Sequence, residues 1–257
     1  MNLQITDKNL FNTLSSASIG EFYFGSHLFG LNDENSDVDW MIVYNKTEDE
    51  TFSFNWSDHN FQFKTTNRDY LLVSLQDFVR NLLNGNSTYF FELIHDEQIK
   101  DSSLRFLYDH RNWFYNYSTI KGYLGLTKRD LKFSIKDHKR FSHAYRSILS
   151  AEKIYYNNEY SNSFESNEFE MMRKFKYDLY SKDAKWKFLE EFKEREKDLR
   201  SKISEDLNHK RINRFMEVEN LRALDRWLID TTKQYQKIDK EINMDAFYEA
   251  LENGIEY

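Results

Sequence analysis

The first third of the chain consists of short apolar segments separated by polar turns. These segments have the length and the content of β-branched and aromatic residues that are typical of strands. The predicted strands are residues 21–24, 38–44, 51–56, 60–66 and 68–75. Apolar and polar positions alternate in 51–56 and 60–66, so we expect these two strands to pair around the turn between them.

Apolar positions recur every three or four residues in most of the remaining chain, which predicts helices. The predicted helices are residues 75–84, 87–95, 103–117, 129–157, 185–203, 210–234 and 244–252. The change from strands to helices near residue 100 predicts an α+β protein with two domains, over 1–100 and 101–257. The charge-rich stretch 182–202 is interpreted as a solvated helix face.

Composition narrows the class of protein. The chain has 257 residues, of which 40% are hydrophobic and 31% charged, values typical of a globular protein. It contains no apolar run of the roughly 18–20 residues that a membrane span needs, and its first residues do not resemble a secretory signal. The absence of cysteine excludes disulfides and thiolate zinc sites, so we expect a cytoplasmic protein. Composition does not fix the oligomeric state.

The segment GSHLFGLNDENSDVDW, residues 25–40, carries the strongest chemical signal. Asp37 and Asp39 are two residues apart at the start of a predicted strand, so both carboxylates should project from one face. Two close carboxylates repel each other unless cations neutralise them. Carboxylate oxygens combined with phosphate oxygens suit Mg²⁺, with Mn²⁺ as the alternative ion. A pair of such ions can activate a hydroxyl and stabilise a leaving pyrophosphate.

Gly25 and Ser26 precede this acidic pair and suit a phosphate-bearing ligand. Gly25 permits close backbone approach, and Ser26 offers a hydroxyl and an amide donor to phosphate oxygens. The alternative is an ordinary surface turn, in which Asp, Asn, Ser and Gly are all favoured. The order strand, Gly-Ser, loop, Asp-x-Asp, strand favours the functional interpretation.

These motifs resemble the DNA polymerase β-like nucleotidyltransferase superfamily, whose signature is Gly-Ser followed by Asp-x-Asp on the next strand. Within it, GSHLFGL and SDVDW are similar to the RNA repair pathway DNA polymerase β family of phages and bacteria, with Phe29 and Trp40 in place of two tyrosines. The block 69–94 is also similar, although Ser87 replaces the usual proline. The resemblance covers residues 20–157 and implies a catalytic domain over 1–100, followed by a helical domain.

The superfamily also implies a third metal-binding carboxylate on a neighbouring strand. Asp69 is the first choice because it begins an apolar segment much as Asp37 does. Asp58 is the main alternative and Asp77 a weaker one. His27 is interpreted either as a contact to phosphate or base, or as a packing residue of the loop.

Aromatic residues near the motif have two interpretations. Phe29, Trp40 and Tyr44 could stack on a base, but an aromatic core is the favoured interpretation.

A basic face is predicted on helix 129–157. At 100° per residue its cations fall within an arc of about 100°, and they are Lys132, Lys136, Lys139, His143, Arg146 and Lys153. The alternative is a merely solvated face. The related family carries a Lys, His, Arg pattern in its helical region, which Lys139, His143 and Arg146 match. Because the net charge is −7, binding of nucleic acid would need such a local basic surface.

The resulting expectation is a nucleotidyltransferase that moves a nucleoside monophosphate from an NTP to an acceptor hydroxyl and releases pyrophosphate. Asp37, Asp39 and Asp69 would hold two Mg²⁺ ions, and Lys139, His143 and Arg146 would bind the triphosphate. Lys132 and Lys136 would contact the acceptor, for which the family favours an RNA 3′ end, tRNA included. The alternatives are nucleotidylation of protein Tyr, Ser or Thr, and a catalytically idle nucleotide- or RNA-binding module.

Overall fold

The computed structural model describes most of the chain. The described residues are 2–5, 11–12, 15–34, 36–46, 60–65, 68–86, 88–236 and 255–256. The predicted strand 51–56, the predicted helix 244–252 and the candidate ligand Asp58 lie outside them.

A mixed six-stranded sheet forms one part of the fold. Its strands are β1 (Asn2–Ile5), β2 (Ser18–Phe24), β3 (Val38–Tyr44), β4 (Asn60–Lys64), β5 (Arg68–Ser74) and β6 (Ile255–Glu256). Their order in the sheet is β2-β3-β5-β4-β1-β6. The pairs β3/β5 and β1/β4 are parallel, and the remaining pairs are antiparallel. The predicted α+β class is therefore confirmed.

The apolar runs of the two central strands, β3 and β5, result from their burial on both faces of the sheet. From Met41 to Tyr44 and from Leu71 to Ser74 every residue is buried, so both faces of the sheet are covered there. A parallel strand covered on both faces needs a continuous apolar run rather than alternation. The predictions for 38–44 and 68–75 are confirmed, and β2 begins earlier than predicted, at Ser18.

Helices occupy most of the chain after the fifth strand. They are α1 (Leu75–Asn84), α2 (Thr88–Leu93), α3 (Arg105–Asp109), α4 (Tyr117–Phe133), α5 (His138–Glu152), α6 (Ser166–Lys176), α7 (Lys182–Asn208) and α8 (Val218–Gln236). A π-helical turn, Lys153–Asn157, continues α5.

The single helix predicted over 129–157 is wrong, because the chain turns between Phe133 and His138. Ser134 Oγ donates a hydrogen bond to Leu131 O at 3.0 Å, beside the C-terminus of α4. Asp137 caps the N-terminus of α5, accepting from Lys139 N at 3.1 Å. An Asp that caps a helix offers its carboxylate to amides which would otherwise lack a partner. Apolar periodicity did not reveal this interruption. The predicted helix 103–117 is also interrupted, since α3 ends at Asp109.

The chain divides into two compact units that are interleaved along the sequence. The sheet unit contains residues 1–81, 96–110 and 218–257, and the helical unit contains residues 82–95 and 111–217. The predicted domain division at residue 100 stays a prediction. Among the described residues, no helix is long and apolar enough to cross a membrane.

Each unit has its own core. In the helical unit α5 packs against α4, α6 and α7, and a cluster of rings includes Phe141 and Phe175, whose centroids are 5.1 Å apart. In the sheet unit a buried ion pair lies beside the C-terminal end of β5. Asp77 Oδ2 is 3.1 Å from Lys46 Nζ and accepts a 2.7 Å hydrogen bond from Ser74 Oγ.

Replacing Asp77 with alanine should leave the Lys46 ammonium buried without its main carboxylate. Removing one partner of a buried ion pair costs about 3–5 kcal/mol. We expect Asp77→Ala to lower the free energy of unfolding by that amount in a denaturant titration. Asp109→Ala removes an exposed ion pair with Arg105 and should cost less than about 0.5 kcal/mol. Equal losses in the two variants would contradict the structural role of Asp77.

Candidate functional site

Strand register brings the acidic residues together at one edge of the sheet. Because β3 and β5 are parallel neighbours, their N-terminal ends lie side by side, and Asp39 is paired with Asp69. Asp37 comes directly before β3. Paired residues on adjacent strands project from the same face. The carboxylates of Asp37, Asp39 and Asp69, separated by up to 32 positions in sequence, therefore share one site.

The end of β2 lies against this site. Phe24 is paired with Asp39, and the chain then enters a 3₁₀ turn, Gly25–Phe29. Gly25 has φ +66°, and a Cβ placed there would collide with Asp39 Oδ2. Glycine is therefore required here both by the backbone conformation and by the closeness of the carboxylate.

The turn that contains Ser26 is held by backbone hydrogen bonds. Leu31 N donates to Ser26 O at 3.0 Å, and Gly30 N donates to His27 O at 3.3 Å. Gly25 thus lies beside the Asp39 carboxylate, and binding of phosphate by the Gly-Ser pair stays a prediction.

The site carries more negative than positive charge. Burial, followed by the neighbouring Asp69 and Asp37 carboxylates, raises the pKa of Asp39 from 3.8 to about 6, while Lys64 acts in the opposite direction. Lys64 is paired with Asp69 across β4 and β5, and its Nζ lies 2.5 Å from Asp69 Oδ2. Lys64 was missed by sequence reasoning, since its alignment with Asp69 depends on the register of two strands.

The donor set fits a divalent cation of the Mg²⁺ type. Three carboxylates supply hard oxygen ligands, and burial together with the Asp69 and Asp37 charges raises the pKa of Asp39. Within the described ranges, no group of three His, Asp or Glu side chains is already arranged to hold a metal ion. Asp69 instead pairs with Lys64, so a bound ion would have to take the place of that ammonium.

The weaker alternative for the third carboxylate, Asp77, serves a different purpose. It is 2% exposed and paired with Lys46 and Arg80, and it follows the C-terminal end of β5, whereas Asp69 lies at the N-terminal end. Asp77 therefore forms ion pairs in the core and lies away from the acidic site.

The three aromatic residues near the motif are placed differently. Phe29 and Tyr44 are buried in the core, at 6% and 2% exposure, in agreement with the favoured interpretation. Trp40 is only partly buried and packs on Tyr23, with ring centroids 4.1 Å apart. His27 lies near Tyr23, with centroids 6.1 Å apart.

The predicted basic residues all belong to the helical unit, but no single helix carries them. Lys132 lies in the last turn of α4, Lys136 lies in the connection, and Lys139, His143 and Arg146 lie on α5. Lys153 begins the π-helical turn, is half-buried and pairs with Glu168. Arg146 is buried, and the other four are exposed. The prediction that these residues form a basic face on one continuous helix is therefore wrong. Their proposed roles in binding stay predictions.

Arg146 is buried against Glu92. Its Nη1 lies 3.4 Å from Glu92 Oε2, and Tyr123 OH donates to Glu92 Oε1 at 3.4 Å. Burial raises the pKa of Glu92, and the Arg146 guanidinium opposes that rise. Sequence reasoning gave no partner for Arg146. A lone Glu within the apolar stretch YFFELI was the available signal, since a buried carboxylate needs a cation.

Comparison with protein-family models, with curated proteins and with solved structures gives no match to this chain. The resemblance to polymerase β-like nucleotidyltransferases therefore rests on the sequence motifs.

Neutralising Asp39 should stabilise the protein at alkaline pH. Its pKa is raised from 3.8 to about 6, so folding favours the protonated acid. This contribution to stability is complete below pH 4 and is lost as pH rises through 6. We expect Asp39→Asn to raise the free energy of unfolding at pH 8 by on the order of 1 kcal/mol, allowing for screening by water, and to have little effect at pH 4.

The measurement is thermal unfolding at both pH values, with and without millimolar MgCl₂. If the carboxylates bind Mg²⁺, the ion should stabilise the wild type at pH 8 more than Asp39→Asn. Asp109→Asn is the control and should leave both effects unchanged. Equal stabilisation of wild type and Asp39→Asn by Mg²⁺ would remove Asp39 from the metal site.

Proposed function

We propose that this protein is a metal-dependent nucleotidyltransferase with a polymerase β-like catalytic domain. The observation that supports this most directly is the grouping of Asp37, Asp39 and Asp69 at one sheet edge, against the backbone of Gly25. An ordinary surface turn does not explain this grouping, because the mutual repulsion of three carboxylates is unfavourable in the absence of a cation.

The proposed reaction joins an acceptor hydroxyl to a nucleoside monophosphate. A bond forms between the hydroxyl oxygen and the α-phosphorus of the NTP, the bond to the β-phosphate bridging oxygen breaks, and pyrophosphate leaves. The hydroxyl proton passes to water. Two bound Mg²⁺ ions would polarise the α-phosphate and balance charge on the pyrophosphate.

The chain's own residues would then position the reactants. Asp37, Asp39 and Asp69 would hold the ions, and above pH 6 Asp39 is ionised and able to do so. The backbone and hydroxyl of the Gly25–Ser26 segment would contact the triphosphate. Lys64 balances charge when no ion is present and would be released from Asp69 on binding. Such positioning and charge neutralisation provide most of the rate in phosphoryl transfer.

We further propose that the acceptor is the 3′ end of an RNA. Lys132 and Lys136, both exposed, would contact acceptor phosphates. Lys139, His143 and Arg146 are proposed to contact the triphosphate. Among these three, Lys139 and His143 are the exposed ones, whereas the charge of Arg146 is already balanced by Glu92.

Removing any of the three carboxylates should abolish nucleotide transfer. The assay incubates the protein with α-³²P-labelled NTPs, MgCl₂, total RNA and cell lysate, and separates labelled RNA from labelled protein. We expect label in RNA, and a loss of at least about a hundredfold in Asp37→Asn, Asp39→Asn and Asp69→Asn. Asp109→Asn should retain wild-type rates. Label in protein alone would show that the acceptor is a protein hydroxyl, and wild-type transfer by folded Asp39→Asn would refute the site.

Exposed lysines of the helical unit should determine how binding of a long acceptor depends on salt. If Lys132 and Lys136 contact RNA phosphates, each glutamine variant should reduce the slope of log affinity against log salt concentration by about 0.7–0.9. Lys187→Gln, an exposed lysine on α7, is the matched control and should keep the full slope. Identical slopes in all three variants would mean that the basic residues form only a solvated surface.

A further inference from the structure

The sheet unit contains a cavity of about 440 Å³ on the face of the sheet opposite to the carboxylates. Its lining includes Tyr23, His27, Val38, Trp40, Arg68 and Gln98. Val38 and Trp40 flank Asp39 on β3, and Arg68 precedes Asp69 on β5. Because neighbouring residues of a strand project to opposite faces, the cavity and the acidic site lie back to back. The cavity is therefore separate from the proposed transfer site.

Two of its walls are aromatic. Tyr23 and Trp40 are register partners across β2 and β3, and their ring centroids are 4.1 Å apart. The row continues across the sheet to Tyr70 and Phe63, on which Phe11 packs, so the rings open to the cavity are Tyr23 and Trp40. Tyr23 is 45% exposed. Partly exposed rings on a sheet face provide a surface on which flat heterocycles stack.

The rim supplies charge and hydrogen-bonding groups. Arg68 is exposed, its Nη1 lies 3.4 Å from Tyr70 OH, and no carboxylate in the described part of the chain forms an ion pair with it. Asp96 also lines the cavity and could accept a hydrogen bond from an amino group. In the walls, His27 Nδ1 and Trp40 Nε1 are buried and have no hydrogen-bond partner among the described residues.

The side chain of Gln98 holds one wall of the cavity in place, because it bonds to the edge of β2 as the backbone of a neighbouring strand would. Gln98 Oε1 accepts from Tyr23 N at 2.8 Å, and Gln98 Nε2 donates to Tyr23 O at 2.9 Å. These two bonds fix the outer edge of β2 beside the Asp96 turn. A wall held in place before binding reduces the entropy that a ligand must overcome.

We propose that this cavity binds a nucleotide unit. The base stacks on Tyr23 and Trp40, an amino group of the base faces Asp96, and the phosphate pairs with Arg68. The volume lies within the range of small-ligand sites, and an exposed guanidinium beside aromatic rings matches a flat base that carries an anion. The same chemistry is offered by a free nucleotide and by one residue of a single-stranded RNA. This proposal does not depend on the transfer reaction.

The test measures binding in EDTA, so that metal-dependent binding at the carboxylates does not contribute. The probes are a fluorescein-labelled single-stranded A₈ RNA, followed by anisotropy, and AMP, followed by calorimetry. We expect Arg68→Gln and Tyr23→Ser to weaken binding by about 5- to 100-fold. Both residues are exposed, so their variants should fold, which circular dichroism and thermal unfolding would confirm. Arg105→Gln changes an exposed arginine elsewhere in the same unit and should bind as the wild type does.

The outcomes separate the two sources of the ligand. Binding of AMP with the affinity of A₈ supports a free-nucleotide site, and binding of A₈ alone supports a strand site. Asp69→Asn should bind both probes normally, which distinguishes this cavity from the transfer site. The proposal is overturned if neither probe binds at millimolar concentration, or if binding is equal in Arg68→Gln, Tyr23→Ser and Arg105→Gln.

Discussion

The parallel pairing of β3 with β5 is the constraint on which the chemistry of this protein depends. It places Asp39 beside Asp69, and the apolar remainder of both strands fixes that register. A shift of one residue would turn the Asp69 carboxylate to the opposite face of the sheet, away from Asp39. The strand pairing therefore holds two carboxylates together against their mutual repulsion. Burial and this repulsion together raise the pKa of Asp39 to about 6.

Several features of the sheet unit follow from this acidic edge. Gly25 is needed because its backbone lies against Asp39, and Lys64 supplies the nearest balancing charge. The alternation of side chains along the same strands gives the opposite face a different character. There, aromatic residues and Arg68 surround a cavity. A single set of strands thus presents an acidic surface suited to cations on one face and a surface suited to stacking on the other.

The helical unit contains a buried ion pair of its own. Glu92 is 1% exposed, and its buried charge is balanced by Arg146 from α5 with a further contact from Tyr123. Removing either charge would leave the other buried without its partner, which is strongly unfavourable. Arg146 therefore stabilises the helical unit whether or not it also contacts a ligand, and the exposed Lys139 is less constrained by the fold.

Much of the fold was determined by the local sequence. The continuous apolar runs of β3 and β5 and the period of α1 were visible because burial on both faces, or along one helix face, leaves a direct pattern. The Gly-Ser and Asp-x-Asp motifs also identified the acidic site, since local spacing places Asp37 and Asp39 on one strand face. By contrast, the break between α4 and α5 depends on Asp137 acting as a cap, which apolar periodicity does not register.

Only the tertiary structure decided which distant residues meet. The pairing of Lys64 with Asp69, of Arg146 with Glu92 and of Gln98 with the backbone of Tyr23 joins positions that are 5, 54 and 75 residues apart. Strand order and register set the first of these, and packing within each unit sets the other two. Such contacts leave no periodic signal in the sequence. A polar residue that bonds to another part of the chain cannot be distinguished, from its neighbours in sequence, from one that bonds to water.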